Sequence, residues 1–291
     1  MFAAAPAADR ARVSVVGSVN IDLTVRVEGL PVPGQTVVGG KTVRSLGGKG
    51  ANQAVALAHL LGSCRMVGAV GDDPEGAWAL ASLAGREVDT RAMRTVAGES
   101  TGAAYIAIDA AGENTIIVSA GANEHVEADE AIEDAAVVLS LEIGIAAAMH
   151  AARRAGGLVV LNASPAMNLP AELVARADVI IVNETEFDRM PEIAAARSVV
   201  RTEGARGATI FELGVAVHHV PALRIENVVS SVGAGDSFCG GLTAALVSGF
   251  SLAEATGIAT AVAAAALGSS EAQPHLQRLD AYVAQTRADV R

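Results

Sequence analysis

Short runs of branched aliphatic residues recur along this chain, and segments with helical periodicity separate them. Strands are expected at residues 13–16, 65–70, 137–141, 158–161, 179–182 and 209–211. Helices are expected at residues 50–61, 74–84, 144–155, 170–176 and 191–204, with three more in the tail from residue 235. Parallel strands need a crossover connection, which is usually a helix. The alternation therefore predicts an α/β fold with three layers, in which a mostly parallel sheet lies between helices.

Two stretches do not fit that alternation. Residues 23–45 alternate apolar and polar side chains around the turn-forming segment PVPG, and residues 103–109 and 114–119 flank the turn AAGE. Exposed strands and hairpins have this pattern. We predict a small β-sheet lid made of residues 23–45 and 101–119. It lies over an α/β body made of residues 11–22, 46–100 and 120–291, and the cleft between them is a favourable place for a ligand.

The overall charge excludes some classes of partner. A net charge of −11 leaves no basic field to attract nucleic acid or an anionic membrane. Cys64 and Cys239 are far apart and lack metal spacing, which suits a reducing compartment. The first residues lack a signal-peptide pattern, and the Ala-rich run at 259–268 is too short to span a bilayer. We expect a cytoplasmic protein.

Residues 231–238 (SVGAGDSF) carry the strongest chemical signal, because they follow a strand-like segment and open a helix. Free backbone N–H groups of Gly233, Ala234 and Gly235 would point at one spot, with the positive end of the helix dipole behind them. Such a site suits the charge on a transferring phosphoryl group, and Asp236 could accept a proton from an attacking hydroxyl. An N-capping Asp after a Gly-rich turn is an equally good interpretation.

Three further segments contain polar groups at expected strand ends or helix starts. Lys49 and Asn52 lie in residues 47–54 (GGKGANQA). They could hydrogen-bond a ligand, or they could belong to a flexible loop with a solvated Lys. Asn20 and Asp22, in residues 17–22, could together bind sugar hydroxyls or could cap a local turn. Glu142 directly follows an apolar strand and is either a ligand group or a carboxylate at the rim.

Residues 183–186 (NETE) also follow an expected strand, at 179–182. Asn183 and Glu186 could hold Mg²⁺ through water, but a capped helix start with acidic residues in its first turn is equally ordinary. Thr260 is a further candidate for a nucleotide contact, although packing within its Ala-rich helix is the more ordinary explanation.

The order of short motifs resembles the ribokinase-like (PfkB) family of ATP-dependent carbohydrate and nucleoside kinases. Residues 17–22 and 47–54 bring the chain nearest to the ribokinase branch of that family. The motifs are GSVNID, PVPGQT, GGKGANQA, GDDPEG, GESTG, GENTI, AGAN, LNASPA, NETE, GAGDSF and AQP.

The resemblance implies a ribokinase-like fold with a β-lid that two subunits often share, and therefore a homodimer. It implies ATP and Mg²⁺ as cofactors and a pentose substrate, ribose above all. It implies that Asp236 is the general base, that the amides of residues 233–235 form an anion hole, and that Asn183 and Glu186 serve the phosphates and Mg²⁺. The sugar contacts implied are Asn20, Asp22, Gly48, Lys49, Asn52 and Glu142.

The chain departs from the family pattern on the nucleotide side. Ser230 replaces an Asp that helps ribokinases to bind an activating monovalent cation near Val232, so we expect weak dependence on potassium. Glu212 stands where a Thr usually meets the nucleotide, and Val215 follows Gly214 with no glycine-containing turn. Glu271 replaces a usual Gly.

Two alternatives to a pentose kinase stay open. A nucleoside kinase or a kinase for another sugar would keep the chemistry, but an aromatic content of 3% offers little surface on which to stack a base. A sugar-binding homologue with impaired catalysis would explain the departures at Glu212 and Glu271.

Overall fold

The computed structural model describes residues 13–128, 132–225 and 227–289; the predicted start of the body, at residues 11 and 12, lies outside them. The strands are β1 (Val13–Val16), β2 (Asn20–Arg26), β3 (Val43–Gly47), β4 (Cys64–Gly71), β5 (Val88–Val96), β6 (Gly102–Ile108), β7 (Asn114–Ser119), β8 (Ala136–Ser140), β9 (Leu158–Asn162), β10 (Val179–Asn183), β11 (Val199–Thr202), β12 (Ala208–Glu212) and β13 (Val215–Val220). The helices are α1 (Lys49–Leu61), α2 (Pro74–Ala84), α3 (Gly144–Arg154), α4 (Ala171–Arg176), α5 (Glu184–Arg189), α6 (Ala234–Val247), α7 (Leu252–Ala266) and α8 (Leu279–Asp289).

The main sheet confirms the predicted α/β architecture. Within the described residues it has nine strands in the order β13-β12-β11-β10-β9-β8-β1-β4-β5. The seven strands from β11 to β5 are parallel. Strand β12 runs antiparallel to them, and β13, which pairs antiparallel with β12, runs in their direction again. The carboxyl ends of all these strands except β12 therefore lie along one edge of the sheet, which we call the carboxyl edge.

Alternate residues of the central strands enter two apolar cores, because successive side chains of a strand point to opposite faces. Val15 and Val138 pack against α1, α6 and α7 on one face. Val137 and Leu139 pack against α3 and α4 on the other. Both faces are covered, which explains why these strands are continuous apolar runs in the sequence.

The second sheet, which we call the lid, has the order β3-β2-β6-β7 within the described residues. It begins earlier than predicted, since β2 already starts at Asn20 and β3 continues to Gly47. The candidate sugar contacts Asn20 and Asp22 therefore lie on a lid strand. The pair of strands expected within residues 23–45 is present as β2 and β3, which run antiparallel. Their connection, residues 27–42, is longer than the expected turn and contains no regular strand.

The predicted helix at residues 191–204 is wrong. The structure has a 3-10 helix at Pro191–Ala195, then strand β11, then a 3-10 helix at Gly204–Arg206. Val199 and Val200 are buried between β10 and β12, where branched side chains pack well on a pleated surface. Tertiary packing thus decides the secondary structure of a segment whose local sequence pattern is ambiguous between helix and strand.

Candidate active site

The carboxyl edge of the main sheet brings together segments that are distant in sequence. Residues 17–18 follow β1, residues 141–142 follow β8, and α1 and α6 begin beside them. The amide of Ala51 donates to the carbonyl of Ser18 at 2.9 Å, which ties the start of α1 to the end of β1. The two backbones can approach this closely because Gly17 and Gly50 have no side chains. A Cβ on Gly50 would lie 2.5 Å from the carbonyl carbon of Gly17.

Asp236 lies at the centre of this cluster and is only 8% exposed. One carboxylate oxygen accepts from Asn52 Nδ2 and the other from Gln53 Nε2, each at 2.9 Å. Burial raises the pKa of Asp236, while the positive charge of Lys49 and the two amide donors oppose that rise. Gly233, not Asp236, is the N-cap of α6. The carboxylate of Asp236 is therefore held by side-chain amides and does not cap the helix.

The turn before α6 is a candidate cradle for an anion. Gly233 has φ of +77°, and a Cβ on it would lie 2.2 Å from the carbonyl oxygen of Ala272. At Gly235, a Cβ would meet no atom within 4 Å. Backbone N–H groups in the first turn of a helix have no intrahelical acceptor and lie at the positive end of its dipole. The Ala234 amide donates to the carbonyl of Ser231 at 3.3 Å, so Gly233, Gly235 and Asp236 supply the donors available to a ligand beside the carboxylate.

Two glutamines that the sequence analysis did not select support this base. Gln53 donates to Asp236 directly, and Gln273 Nε2 donates to Asn52 Oδ1 at 3.0 Å. Gln273 therefore orients the amide of Asn52 so that its NH₂ group faces the carboxylate. Both glutamines lie in motifs noted above, GGKGANQA and AQP, but neither sequence context distinguishes a supporting residue from a packing one.

Glu142 joins the ends of β1 and β8 to the start of α1. Its carboxylate accepts from the Ser18 hydroxyl and, at 2.9 Å, from the backbone N–H of Lys49. Asp22 lies nearby over Gly47, where a Cβ would come within 2.2 Å of its carboxylate oxygens. Burial and then the charge of Glu142 raise the pKa of Asp22 to about 6. The site therefore holds two neighbouring carboxylates with different surroundings.

Asn20 is buried, and its Oδ1 accepts from Asn123 Nδ2 at 2.8 Å. Asn123 also bonds both backbone groups of Val19, at 2.8 Å and 3.0 Å, and thereby fixes the start of the lid strand β2. Sequence reasoning noted the AGAN motif but did not select Asn123. Gly102 completes the contact, since a Cβ there would lie 2.1 Å from Asn123 Nδ2.

Asn183 and Glu186 lie at the carboxyl end of β10 and form a capping box at the start of α5. Asn183 Oδ1 accepts from the Glu186 amide, and Glu186 Oε2 accepts from the Asn183 amide, each at 2.8 Å. The capped helix start proposed as the ordinary interpretation is therefore present. Asn183 is exposed and Glu186 is half-buried at this edge, and each keeps acceptor capacity beyond its cap bond.

Three candidate nucleotide contacts do not join the cluster. Because β12 runs antiparallel to β11, its end at Glu212 lies near the start of β11, at the opposite edge of the sheet, and Gly214 follows there. Thr260 is buried in α7, where its hydroxyl donates to the carbonyl of Thr256 at 2.9 Å. It packs within the helix layer.

Thr202 occupies the position at the carboxyl edge that the sequence analysis sought at Glu212. It ends β11 directly beside Asn183, and Gly204 and Gly207 follow with φ of +57° and +108°. The T-x-G-x-x-G spacing was a usable signal, but the predicted helix at 191–204 concealed it. The glycine-containing turn is thus present at residues 202–207, which we call the edge turn.

Ser230 and Val232 lie in the loop before α6. Ser230 Oγ accepts from the Val232 amide at 3.1 Å, and the Ser230 amide points to the Leu267 carbonyl at 3.3 Å. Glu271 is exposed in the segment opposite. Nowhere in the described ranges do three or more Asp, Glu, His or Cys residues group as metal ligands would. Among the same residues, no helix has the length and apolar character to cross a membrane.

Comparison with known proteins gives one consistent result. The sequence pattern of pfkB family carbohydrate kinases matches residues 10–278. A ribokinase of Haemophilus influenzae is 32% identical over 292 residues, covering 91% of this chain and 94% of that protein. A deoxyribokinase of Salmonella typhi is 33% identical over 256 residues, covering 78% and 83%.

A solved structure supports the same assignment. Arabidopsis thaliana ribokinase, in complex with ribose and ATP, superimposes with a TM-score of 0.85 at 27% identity, covering 96% of this chain and 99% of that one. This likeness confirms the ribokinase-like fold and its separate small sheet. On the family match and the two relatives, this chain belongs to the pfkB family of carbohydrate kinases.

Proposed function

We propose that this carbohydrate kinase transfers the γ-phosphoryl group of ATP to a hydroxyl of a pentose, with ribose as the first candidate. The observation that carries the proposal is the position of Asp236. It is a buried carboxylate held by two amide donors, at the positive end of α6, beside the polar groups of the lid strand β2. Ribokinase and deoxyribokinase among the relatives support a pentose.

The proposed reaction is an in-line displacement. Asp236 accepts the proton of the attacking sugar hydroxyl, whose oxygen bonds to the γ-phosphorus while the bond to the bridging oxygen breaks and ADP leaves. The amides of Gly233, Ala234 and Gly235 would stabilise the charge on the transferring group. The raised pKa of Asp236 suits this role, because a general base works best when its pKa approaches the working pH.

The sugar would occupy the space between the carboxyl edge and the lid. Asp22 and Asn52 would accept and donate hydrogen bonds to its hydroxyls, with Asn20, Gly48, Lys49 and Glu142 supporting them. Glu142 already binds Ser18 and the Lys49 amide, which gives it a positioning role as well. Two carboxylates in one pocket suit a neutral polyol, which can donate to both.

ATP would lie along the edge turn and the start of α5. Gly204 and Gly207 allow close approach of the backbone, and Thr202 lies beside Asn183. When bound, Mg²⁺ would neutralise phosphate charge. Asn183 and Glu186 fit it, since this ion usually takes one or two carboxylates plus phosphate oxygens and water. The alternative of an impaired sugar-binding homologue loses one of its motives, because Glu212 lies at the opposite edge, while Glu271 remains as another.

The test is turnover on a panel of substrates. Purified protein with ATP and Mg²⁺ should release ADP with ribose, and the panel should add 2-deoxyribose, hexoses and nucleosides. A clear preference for a nucleoside would favour the alternative kinase. Turnover on none of them would reject the proposal. A cytoplasmic location is proposed as well, because ATP is abundant there and a reducing compartment suits two free, buried cysteines.

We expect a homodimer formed through the lid. Strand β7 lies at the edge of the lid, and Ile116, Ile117 and Val118 on it are 52%, 65% and 61% exposed, with Tyr105 of β6 51% exposed. A second copy would cover both this apolar surface and the open edge in a two-fold interface. Light scattering at micromolar concentration should give twice the monomer mass. Ile117→Glu should shift the protein to monomer, whereas a monomeric unmutated protein would contradict the expectation.

We expect weak activation by potassium. The carbonyls near Val232 and residues 267–271 could bind a monovalent cation, but Ser230 supplies no negative charge to offset the desolvation of the ion. Ser230→Asp should therefore raise the activation by potassium. Initial rates against potassium chloride, with tetramethylammonium chloride holding ionic strength constant, measure this. Steep, saturable activation of the unmutated protein would show that Glu271 or carbonyls alone suffice.

A further inference from the structure

The edge turn contains a buried carboxylate, Glu203, that is outside the proposed catalytic and sugar contacts. Glu203 is 8% exposed and lies between the candidate nucleotide residues Thr202 and Gly204. Its Oε1 accepts from Arg201 Nη2 at 2.6 Å and from the Thr209 hydroxyl at 2.8 Å. Burial acts to raise the pKa of Glu203, but the bonds from Arg201 and Thr209 outweigh it and hold the pKa below the ordinary value. The group is therefore an anion with built partners.

The carboxylate points away from the proposed nucleotide. Side chains at successive positions of β11 lie on opposite faces, so Arg201 and Thr202 point in opposite directions. Glu203 binds Arg201 and Thr209, which pair across β11 and β12, and so lies on their face. Thr202 remains on the other face. A negative charge next to the phosphates would repel them, and this arrangement avoids that.

The same group ties the edge turn to its neighbours. The amide of Glu203 donates to the carbonyl of Gly207 at 2.7 Å, which closes the turn. Arg206, inside the turn, lies 4.0 Å from Glu203 Oε2 and forms an ion pair with Glu184 at the start of α5. Arg201 also lies over the ring of Phe187 in α5, 4.9 Å from its centre. The edge turn and the start of α5 are therefore linked through one charged cluster.

We propose that Glu203 is the positioning residue of the nucleotide site: it holds the edge turn and the start of α5 in the geometry that receives ATP. This inference rests on the proposed function, since it assigns ATP to these two segments. Glu203 touches neither substrate. It acts through Thr202 and Gly204 on one side and through Arg206 and Glu184 on the other.

Glu203→Gln removes the charge that Arg201 and Arg206 pair with and should loosen both segments. We expect the KM for ATP to rise about tenfold, the size of losing one hydrogen bond to a charged group, with the KM for the sugar unchanged. Thr209→Val removes one bond to the carboxylate but leaves its charge, and should shift the KM for ATP in the same direction by less. Glu172→Gln is the matched control, because it breaks an Arg–Glu pair of the same 2.6 Å length on α3 and α4.

The readouts separate this inference from the proposed function. Calorimetric titration of ATP tests Glu203 even if no sugar is turned over, and thermal melts show whether the variants fold. If Glu203→Gln does not fold, Thr209→Val carries the test. A lower melting temperature with unchanged affinity for ATP overturns the inference, as does tighter ATP binding, which would mean that charge rather than position matters. Failure of the unmutated protein to bind ATP overturns both.

Discussion

Replacing Asp236 with Asn should lower kcat by about 10²–10⁴, the range attributed to a general base, while the affinity for sugar changes little. The carboxylate is needed when the hydroxyl proton leaves, whereas a ground-state hydroxyl can still bond to an amide. Asn52 and Gln53 both donate to Asp236, and the substituted amide can accept from only one of them. Some loss of stability should therefore accompany the loss of rate.

The control for Asp236→Asn is Asp280→Asn, which removes an exposed carboxylate from the first turn of α8. Single-turnover rates and sugar affinity from calorimetry separate the chemical step from binding, and thermal melts report the folded fraction. The rate of the unmutated enzyme should also fall as pH decreases through the raised pKa of Asp236, because protonation removes the base. Near-normal turnover by Asp236→Asn would leave this carboxylate with a structural role alone.

Gly233→Ala should lower kcat by about 10²–10³, the loss observed when one oxyanion donor is removed. The position has φ of +77°, and the added Cβ would lie 2.2 Å from the carbonyl oxygen of Ala272. The Ala272 carbonyl is backbone and cannot turn aside as a flexible side chain could, so the turn must move, and the amides of residues 234–236 move with it. The cradle would then be misplaced relative to Asp236.

Gly249→Ala provides a matched control for this substitution. Gly249 has φ of +90°, but a Cβ there would meet nothing within 4 Å. Gly249→Ala therefore carries the same cost of placing a side chain on a left-handed backbone, but it lacks the steric clash that Gly233→Ala makes with Ala272. Gly249→Ala should lower the melting temperature with normal kcat for the folded fraction, whereas Gly233→Ala should lower both. Equal kcat in the two variants would count against the anion hole.

Glu142 and the segment that contains Ser18 came together because each follows the end of a main-sheet strand. Ser18 and Glu142 are 124 residues apart, yet β1 and β8 are adjacent and parallel, so the residues after them meet. Asp22 follows nearby on the lid strand β2. Asn123 and Gln273 could not be identified in this way, because their roles depend on bonds to Asn20 and Asn52 across the chain. A buried amide gives no local signal of the group that it orients.

The alternation of apolar runs and helices determined the layered α/β architecture, since buried strands and amphipathic helices each require a partner layer. The glycine-rich segment before α6 pointed to the proposed base and its proposed anion cradle, because glycine permits the positive φ and the close backbone approach at residue 233. Tertiary structure alone decided which residues form the proposed nucleotide site. Residues 199–202 became a strand only because β10 and β12 bury them, and that pairing moved Thr202 and Glu203 to the carboxyl edge and Glu212 to the opposite one. Strand direction depends on contacts between distant segments, which a local sequence pattern does not contain.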